Sequence, residues 1–380
     1  MRGYLPEEHR DFHCALPYLI VTARDGAGWL WATLLTGEAG FVTSPDPQTL
    51  VISARPAAGD TLGAAFVQRA DLGVLGIELS SRRRNRLNGR ILGGRGGGAI
   101  ICDVEQSFGN CPQYIRERAW RRVECAAAGR PKKSDRLTKA QIAWINTADT
   151  FFIASGYCDR GENAAYGMDA SHRGGERGFV QVVGDGRLVF PDYAGNNHYN
   201  TIGNLFLDAR VGLLFVDFET GGLLQLTGTA SKDWDSAAVA RVPGARRLVT
   251  VEIEQIVELP RALPLRWDAN ADAVRSLRLI EKIPESADVT SFVFEARDGS
   301  PLPEFEAGQH LPIELEVPEY SEPVRRTYSL SGGPSQARYR ISVKREPRGT
   351  ASRLLHDHME TGTIISSRQP AGGFMLSCST

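Results

Sequence analysis

The sequence predicts a mostly β protein made of β-barrels with a few helices: one small barrel occurs twice, and a different antiparallel barrel follows. Three observations carry this. First, runs of five to eight residues that alternate or are wholly apolar recur between turn signals, as in YLIVTA, TLVISA, FVQVV, RLVFP, LLQLTGTA and RRLVTVEIEQI. Their β-branched and aromatic side chains suit a pleated, half-buried surface. Second, two segments repeat. Gly40-Phe41-Val42, Gly63, Gly73 and Gly89 are answered by Gly178-Phe179-Val180, Gly203, Gly212 and Gly228, at a spacing near 139 residues. A constant spacing over so long a stretch marks a duplicated unit. Third, ELPRALPLRWDANAD (Glu258 to Asp272) carries prolines without periodicity and reads as a linker, after which the β pattern resumes with VRSLRLIEKIPESADVTSFVFEA. The resulting domains are 1–130, 131–268 and 269–380.

Within each copy the order is strand, strand, short helix, strand, strand. Helical periodicity is confined to CPQYIRERAWRRVE after Gly109, LTKAQIAWINTAD, the Asn200–Leu207 region and SRLLHDHME.

Composition narrows the function classes. The 380 residues carry 44 Lys and Arg against 45 Asp and Glu, a net charge of −1, so no global field draws in nucleic acid or an anionic membrane. SRRRNR (Ser81 to Arg86), the densest basic run, reads first as a solvated strand end and second as a polyanion site. Six cysteines without a CxxC or a histidine at ligand spacing argue against zinc and iron–sulfur sites, and fit reduced thiols of a cytoplasmic protein. Apolar runs such as VGLLFVDF are too short to cross a bilayer. GGRGGG (Gly93 to Gly98) precedes no helix and reads as a mobile turn, not a dinucleotide loop. Catalytic triads, paired carboxylates and metal nucleophiles do not emerge, so the difficult chemistry would fall to a cofactor.

In the last unit, RRTYSLSG (Arg325 to Gly332) reads as a strand with Arg326 and Tyr328 on one face, Thr327 and Ser329 on the other. RYRISVKRE (Arg338 to Glu346) is a second strand, followed by the turn PRGTAS and a helix. Gly349 allows close backbone approach, and Thr350, Ala351 and Ser352 present free N–H groups and a hydroxyl at the helix start, which suits an anion. This layout resembles the FAD-binding barrel of the ferredoxin-reductase family, including the reductase part of flavohaemoglobins. The matching residues are Arg326-Thr327-Tyr328-Ser329, SVKRE, Gly349 to Ser352, and PAGGF (Pro370 to Phe374). The resemblance implies that Arg326 binds the FAD diphosphate, Tyr328 lies against the isoalloxazine and Ser329 reaches its reactive edge. Val343, Lys344 and Arg345 would flank the nucleotide, with Gly349 to Ser352 on the diphosphate. In that family a nicotinamide-binding domain follows. Here it is absent, so the chain reads first as a fragment of a longer reductase and second as a protein whose electron donor arrives by another route.

The second copy carries the richer polar chemistry of the pair. Ser171, His172 and Arg173 lie on or beside one strand; Pro191, Asp192 and Tyr193 end the next and lead to a helix start where Asn200 and Thr201 offer N-cap chemistry. Arg173 could face an anion at that helix start, and Gln225 would point into the same pocket. The pattern over 140–267 resembles the pyridoxamine 5′-phosphate oxidase-like FMN-binding split barrel. SFGNCPQYI, SHRGG and PLRW are similar to the subgroup fused to a reductase. The resemblance implies FMN held through its phosphate by Ser171, His172, Arg173, Asn200, Thr201 and Asn204. His172-Arg173 serve where family members often place a lysine. Asn110, Gln113 and Tyr114 would close the site. In the first copy Asp60 would repel a phosphate and RRNRLNG replaces LLQLTG, so one competent site per pair is expected.

The reading is therefore a flavin-dependent oxidoreductase that passes electrons between FAD, FMN and a small-molecule acceptor or donor, with a redox partner domain or a homodimer as partner. Two other readings share the pattern: a non-catalytic split barrel holding flavin or haem, and a pyridoxamine phosphate oxidase, whose substrate-phosphate cluster the sequence does not display. His198, His310, His356 and His358 read as structural or exposed.

Overall fold

The computed structural model describes residues 2–66, 68–93, 98–109, 113–124, 128–158, 166–193, 200–234, 236–242, 244–269, 274–297, 299, 301–317, 323–333 and 338–372. Two compact units emerge, Met1–Ala269 and Asn270–Thr380.

The first unit is built twice over. Helix α1 (Glu7–Ala15) precedes strands β1 (Tyr18–Arg24), β2 (Leu30–Thr36), β3 (Val42–Asp46), β4 (Thr49–Ile52), β5 (Asp71–Glu78), β6 (Arg83–Ile91) and β7 (Ile100–Gly109). After β8 (Arg118–Arg122) and β9 (Lys132–Ser134), helix α2 (Lys139–Thr147) opens the second copy. That copy continues with β10 (Thr150–Tyr157), β11 (Gly167–Gly174), β12 (Gln181–Val183), β13 (Arg187–Tyr193), α3 (Asn200–Leu207), β14 (Arg210–Val216), β15 (Leu223–Asp233), α4 (Ala237–Ala240) and β16 (Ala245–Leu259). One sheet runs β2-β1-β5-β6-β7-β4-β3, the other β11-β10-β14-β15-β16-β13-β12, which is the same order strand for strand.

Wholly apolar strands such as YLIVTA are explained by burial on both faces. Leu19 and Val21 of β1 enter the first copy's own core, whereas Tyr18 and Ile20 enter a core shared with Phe152, Ala154, Met168 and Ala170 of the second copy. The repeated glycines have a matching reason. A Cβ on Gly73 would sit 2.9 Å from the Asp169–Ala170 peptide of β11, and one on Gly212 would sit 2.4 Å from the Leu30 carbonyl of β2. Each copy thus lays its edge strand across the other's glycine. Gly89 and Gly228 sit at matching register shifts, where a Cβ would collide with the Asp103 and Glu252 carbonyls.

Four expectations change. From Gln113 on, CPQYIRERAWRRVE is not helical, and within it Arg118–Arg122 forms β8, paired with β17 (Leu265–Ala269); Cys111 and Pro112 lie outside the described residues. The stretch from Glu258 is no linker up to Ala269, because Leu263, Leu265 and Trp267 are buried in the shared core, with Trp267 edge-on to Tyr18 and Phe218. Pairing across the chain won over local helical spacing in the first, and burial in the shared core over the lack of periodicity in the second. SRRRNR is not a solvated end, since Arg82 and Arg86 are buried. The first copy's short helix is a run of turns, and α1 is a helix the periodicity did not reveal. Helix α2 lies where LTKAQIAWINTAD predicts it and carries a reciprocal capping box between Thr138 and Gln141. Gly94 to Gly97 lie outside the described residues.

The second unit is a six-stranded antiparallel sheet in the order β21-β20-β23-β18-β19-β22, comprising β18 (Arg275–Pro284), β19 (Val289–Ala296), β20 (His310–Leu315), β21 (Val324–Ser329), β22 (Tyr339–Lys344) and β23 (Ile364–Ser367). Its two ends meet: Leu330 bridges Ile341, and the Ser331 and Ser342 hydroxyls are 2.9 Å apart. Helix α5 (Thr350–Arg353) widens into a π-turn, Leu354–His358, where Lys282 Nζ donates to the His356 and Met359 carbonyls at 3.0 Å. No helix among the described residues is long and apolar enough to cross a membrane.

Candidate functional site

In the first unit, charge concentrates where β6 of the first copy meets β11 and α3 of the second. Alternation along β11 puts Asp169, Ser171 and Arg173 on one face. Arg86, 6 % exposed, reaches both Asp169 oxygens through Nη1 at 3.2 Å, and the Thr201 hydroxyl donates to Asp169 Oδ2 at 3.4 Å. Arg173 Nη1 donates to Ser171 Oγ at 3.0 Å, and its Nη2 lies 3.7 Å from Asp192. Asp192, on β13 beyond the buried Pro191, is also 3.2 Å from Arg247 Nε, and that guanidinium lies 3.9 Å over the Trp234 ring. Burial lowers the Arg173 pKa, opposed by Asp192 and reinforced by Arg86. Two guanidinium edges in this cluster, Arg86 Nε and Arg173 Nε, are buried without a hydrogen-bond partner. A buried cationic donor left unmatched is costly, and an anion's oxygens would satisfy it.

The other expected residues divide. Tyr114 and Tyr193 come together as stacked rings 5.0 Å apart, with Gln113 in the same turn; Tyr114 has φ +64°, and its carbonyl lies against Gly174. Asn110 and His198 fall outside the described residues. His172 does not join Arg173. It sits on the opposite face of β11, edge-on to Phe152, with Nδ1 3.0 Å from Arg84 Nη1. Burial first, then Arg84, Arg173 and Arg86, drive its pKa well below the ordinary value, so it is a neutral imidazole and no phosphate countercharge. Thr201 is not a cap, because its hydroxyl is spent on Asp169. Asn200 begins α3, but Asn204 turns back to the Ser155 hydroxyl at 3.1 Å. Gln225 faces elsewhere: its Nε2 donates to the Ala32 carbonyl at 3.0 Å and to Asp60 at 3.2 Å. Sequence reasoning leaves Arg86 at the end of SRRRNR and misses its place in this cluster. Its signal was there, since the pairings Leu75↔Arg86 and Leu214↔Gln225 make it the duplicate of Gln225.

In the second unit, Arg326 and Tyr328 share a face of β21. Arg326 is exposed and its Nη1 donates to the Arg325 carbonyl at 2.7 Å; among the described residues no carboxylate pairs with it, whereas Arg325 pairs with Glu314. Tyr328 is half-buried, and burial raises its pKa against the pull of Arg326. Thr327 and Ser329 are exposed on the other face. This leaves a free cation beside a partly covered ring, donors that fit a dinucleotide phosphate.

Several neighbours are committed elsewhere. Val343 and Ala351 are buried in the barrel core, and Arg345 is held bidentate by Asp357 at 2.9 Å. The Ser352 hydroxyl accepts from Glu346 N–H at 3.1 Å and donates to the Gly349 carbonyl at 3.3 Å. Gly349 makes room for Ser352, whose Oγ lies 2.5 Å from its notional Cβ. Thr350 opens the helix, and Lys344 lies 3.8 Å from Asp288 and Glu346. Gly373 and Phe374 lie outside the described residues.

Residues 276–376 match the family described as the oxidoreductase FAD-binding domain. A flavohemoprotein from Pseudomonas aeruginosa is 34 % identical over 179 residues, 47 % of this chain and 41 % of that protein. The flavohem-like FAD/NAD-binding domain of a nitric oxide dioxygenase from Vibrio cholerae O1 biovar El Tor is 36 % identical over 27 % of this chain and 46 % of that one, at a TM-score of 0.27. A putative pyridoxamine 5′-phosphate oxidase from Lactobacillus delbrueckii is 17 % identical over 32 % of this chain and 94 % of that one, at a TM-score of 0.26, a likeness that carries no argument. The matched segment thus spans 41 % of the length of the Pseudomonas relative.

Proposed function

We propose that this chain is the flavin-binding part of an oxidoreductase, with FAD on the barrel of residues 270–380 and FMN at the Arg86–Arg173 cluster of the duplicated unit. The observation that carries the FAD half is the match of residues 276–376 to an FAD-binding domain that displays a free Arg326 beside Tyr328. Arg326 would hold the diphosphate and the Tyr328 ring would cover the flavin. Thr350 at the helix start would add an N–H group, while Arg345, Ser352 and Val343 keep the turn and strand in shape.

For FMN, the support is the pair of buried, unsatisfied guanidinium edges. A phosphate monoester carries a charge of about −1.5 to −2 at neutral pH and three acceptor oxygens, which suits that deficit. The neutral His172 and the shared apolar core beneath β11 would keep water away from that side. The bound flavins would supply exchange of electrons with a pyridine nucleotide, a redox partner domain or a small-molecule acceptor. The test is mass identification of cofactors released by denaturation, with Arg326→Ala and Arg173→Ala alongside. Arg326→Ala should lose FAD and keep FMN, and Arg173→Ala the reverse; equal loss of both from either variant contradicts separate sites.

A further inference from the structure

The duplication gives the Arg86–Ser171 cluster a twin, and the twin is already filled. Asp60 is 8 % exposed between the two copies. The Leu62 N–H donates to its Oδ1 at 2.8 Å, while Gln225 Nε2 at 3.2 Å and the Thr33 hydroxyl meet its Oδ2. The first two can only donate and the third is free to, so the carboxylate is surrounded as a bound anion would be. Burial raises its pKa above the ordinary carboxylate value, and these same three donors offset that only in part.

Each donor has a counterpart in the other pocket. DTLGAAF at 60–66 aligns with NTIGNLF at 200–206, which pairs Asp60 with Asn200 and Leu62 with Ile202. Gly37 and Gly175, each pressed on the phenylalanine four residues later, align Thr33 with Ser171. The strand register aligns Gln225 with Arg86. Beside Asp169, which answers to Trp31 and already meets Arg86 Nη1, the aligned positions differ in two places. Where the twin has a neutral donor and its own carboxylate, the Arg86 pocket has a cation and a neutral amide.

We propose that Asp60 is a tethered anion that permanently fills the twin of the Arg86–Ser171 pocket, so that a tandem pair accepts one external anionic ligand and not two. The filled pocket is a latent site for a small carboxylate or phosphate, opened by removing Asp60. Only the consequence for flavin stoichiometry rests on the proposed FMN site; the tethered-anion assignment stands on the internal symmetry.

The experiment is thermal unfolding of the full chain and of Asp60→Gly, titrated with sodium formate, inorganic phosphate and, as an ionic-strength control, sodium chloride. Asp60→Gly should unfold at lower temperature and recover more than half of that loss with formate or phosphate, saturably, while chloride does little and the unsubstituted chain does not respond. Asp60→Gly/Gln225→Ala should lose the recovery. An Asp60→Gly protein whose melting is indifferent to every anion overturns the proposal. If Asp60→Gly does not fold, Asp60→Asn decides: its amide turns donors toward donors, so it should melt below the unsubstituted chain, and equal stability overturns the assignment. Flavin counting on the same samples reads the FMN proposal separately, since anion recovery needs no flavin.

Discussion

Arg86→Ala should be among the most damaging substitutions in the first unit. The side chains of Arg86 and Asp169 are 7 % and 2 % exposed, and the two groups meet at 3.2 Å. Without the guanidinium, Asp169 keeps, among the described residues, only the long Thr201 contact at 3.4 Å. Breaking a buried ion pair by removing one partner costs about 3–5 kcal/mol, because the other charge stays desolvated. The lost stacking over Phe108, 5.5 Å away, adds roughly 0.5–1 kcal/mol. At about 2–4 °C per kcal/mol for a unit of this size, melting should fall by roughly 7–24 °C. Arg86→Gln should cost less, since Gln225 shows that glutamine fits this register and can donate. Arg86→Met with Asp169→Leu should recover most of the loss, as replacing both charges by packed apolar groups is often neutral. Differential scanning calorimetry of the three variants is the assay. A loss below about 1 kcal/mol for Arg86→Ala, or a double variant as unstable as the single, would refute the buried pair.

Gly73→Ala or Gly212→Ala should each cost about 1–3 kcal/mol, since the methyl meets backbone of the other copy and that edge strand must lift; unchanged melting would mean the strands do not touch there. His172 and His13 should make the first unit acid-sensitive. Their folded pKa values lie below the ordinary 6.5, that of His13 at about 3, so the folded state binds fewer protons than the unfolded one. Their contribution is complete above about pH 6.5 and is lost on acidification at about 1.4 kcal/mol per pH unit per histidine, and His172→Gln should flatten a denaturant-midpoint profile between pH 6.5 and 5. Trp267→Ala should cost about 3–5 kcal/mol, because the ring is 4 % exposed against Tyr18 and Phe218; a loss below 1 kcal/mol would return the segment to the role of a linker. Arg345→Ala should leave the melting temperature essentially unchanged, as its pair with Asp357 is exposed, and a clear thermal shift would mean that the pair is not a simple surface bridge.

The β character and the duplication were legible because both are written locally. Strand runs show in alternation, and matched glycines show in spacing. Why those glycines recur was not legible: Gly73 and Gly212 answer to the opposite copy's edge strand, a contact about a hundred or more positions away. The site residues followed the same division. Arg326 and Tyr328 share a face because they are two apart on one strand, and Ser171 and Arg173 do likewise. His172 was misassigned for the same reason, since adjacency in sequence puts a strand neighbour on the opposite face. Arg345, Ser352 and Asn204 carry the right chemistry for a ligand, but Asp357, Glu346 with Gly349, and Ser155 use it first.

By itself the sequence determined a β-rich chain, its internal repeat, a separate final barrel and the polar motif on β21, all properties of periodicity within one or two strands. Tertiary structure alone decided which copy completes which pocket. Arg86 and Gln225 occupy the same register in their own copies, yet each reaches into the other's pocket. One meets Asp169 and Arg173's surroundings; the other meets Asp60. Burial across a two-fold-like interface turns an ordinary strand arginine into a desolvated cation, and nothing in the order of residues specifies which strand will cover it.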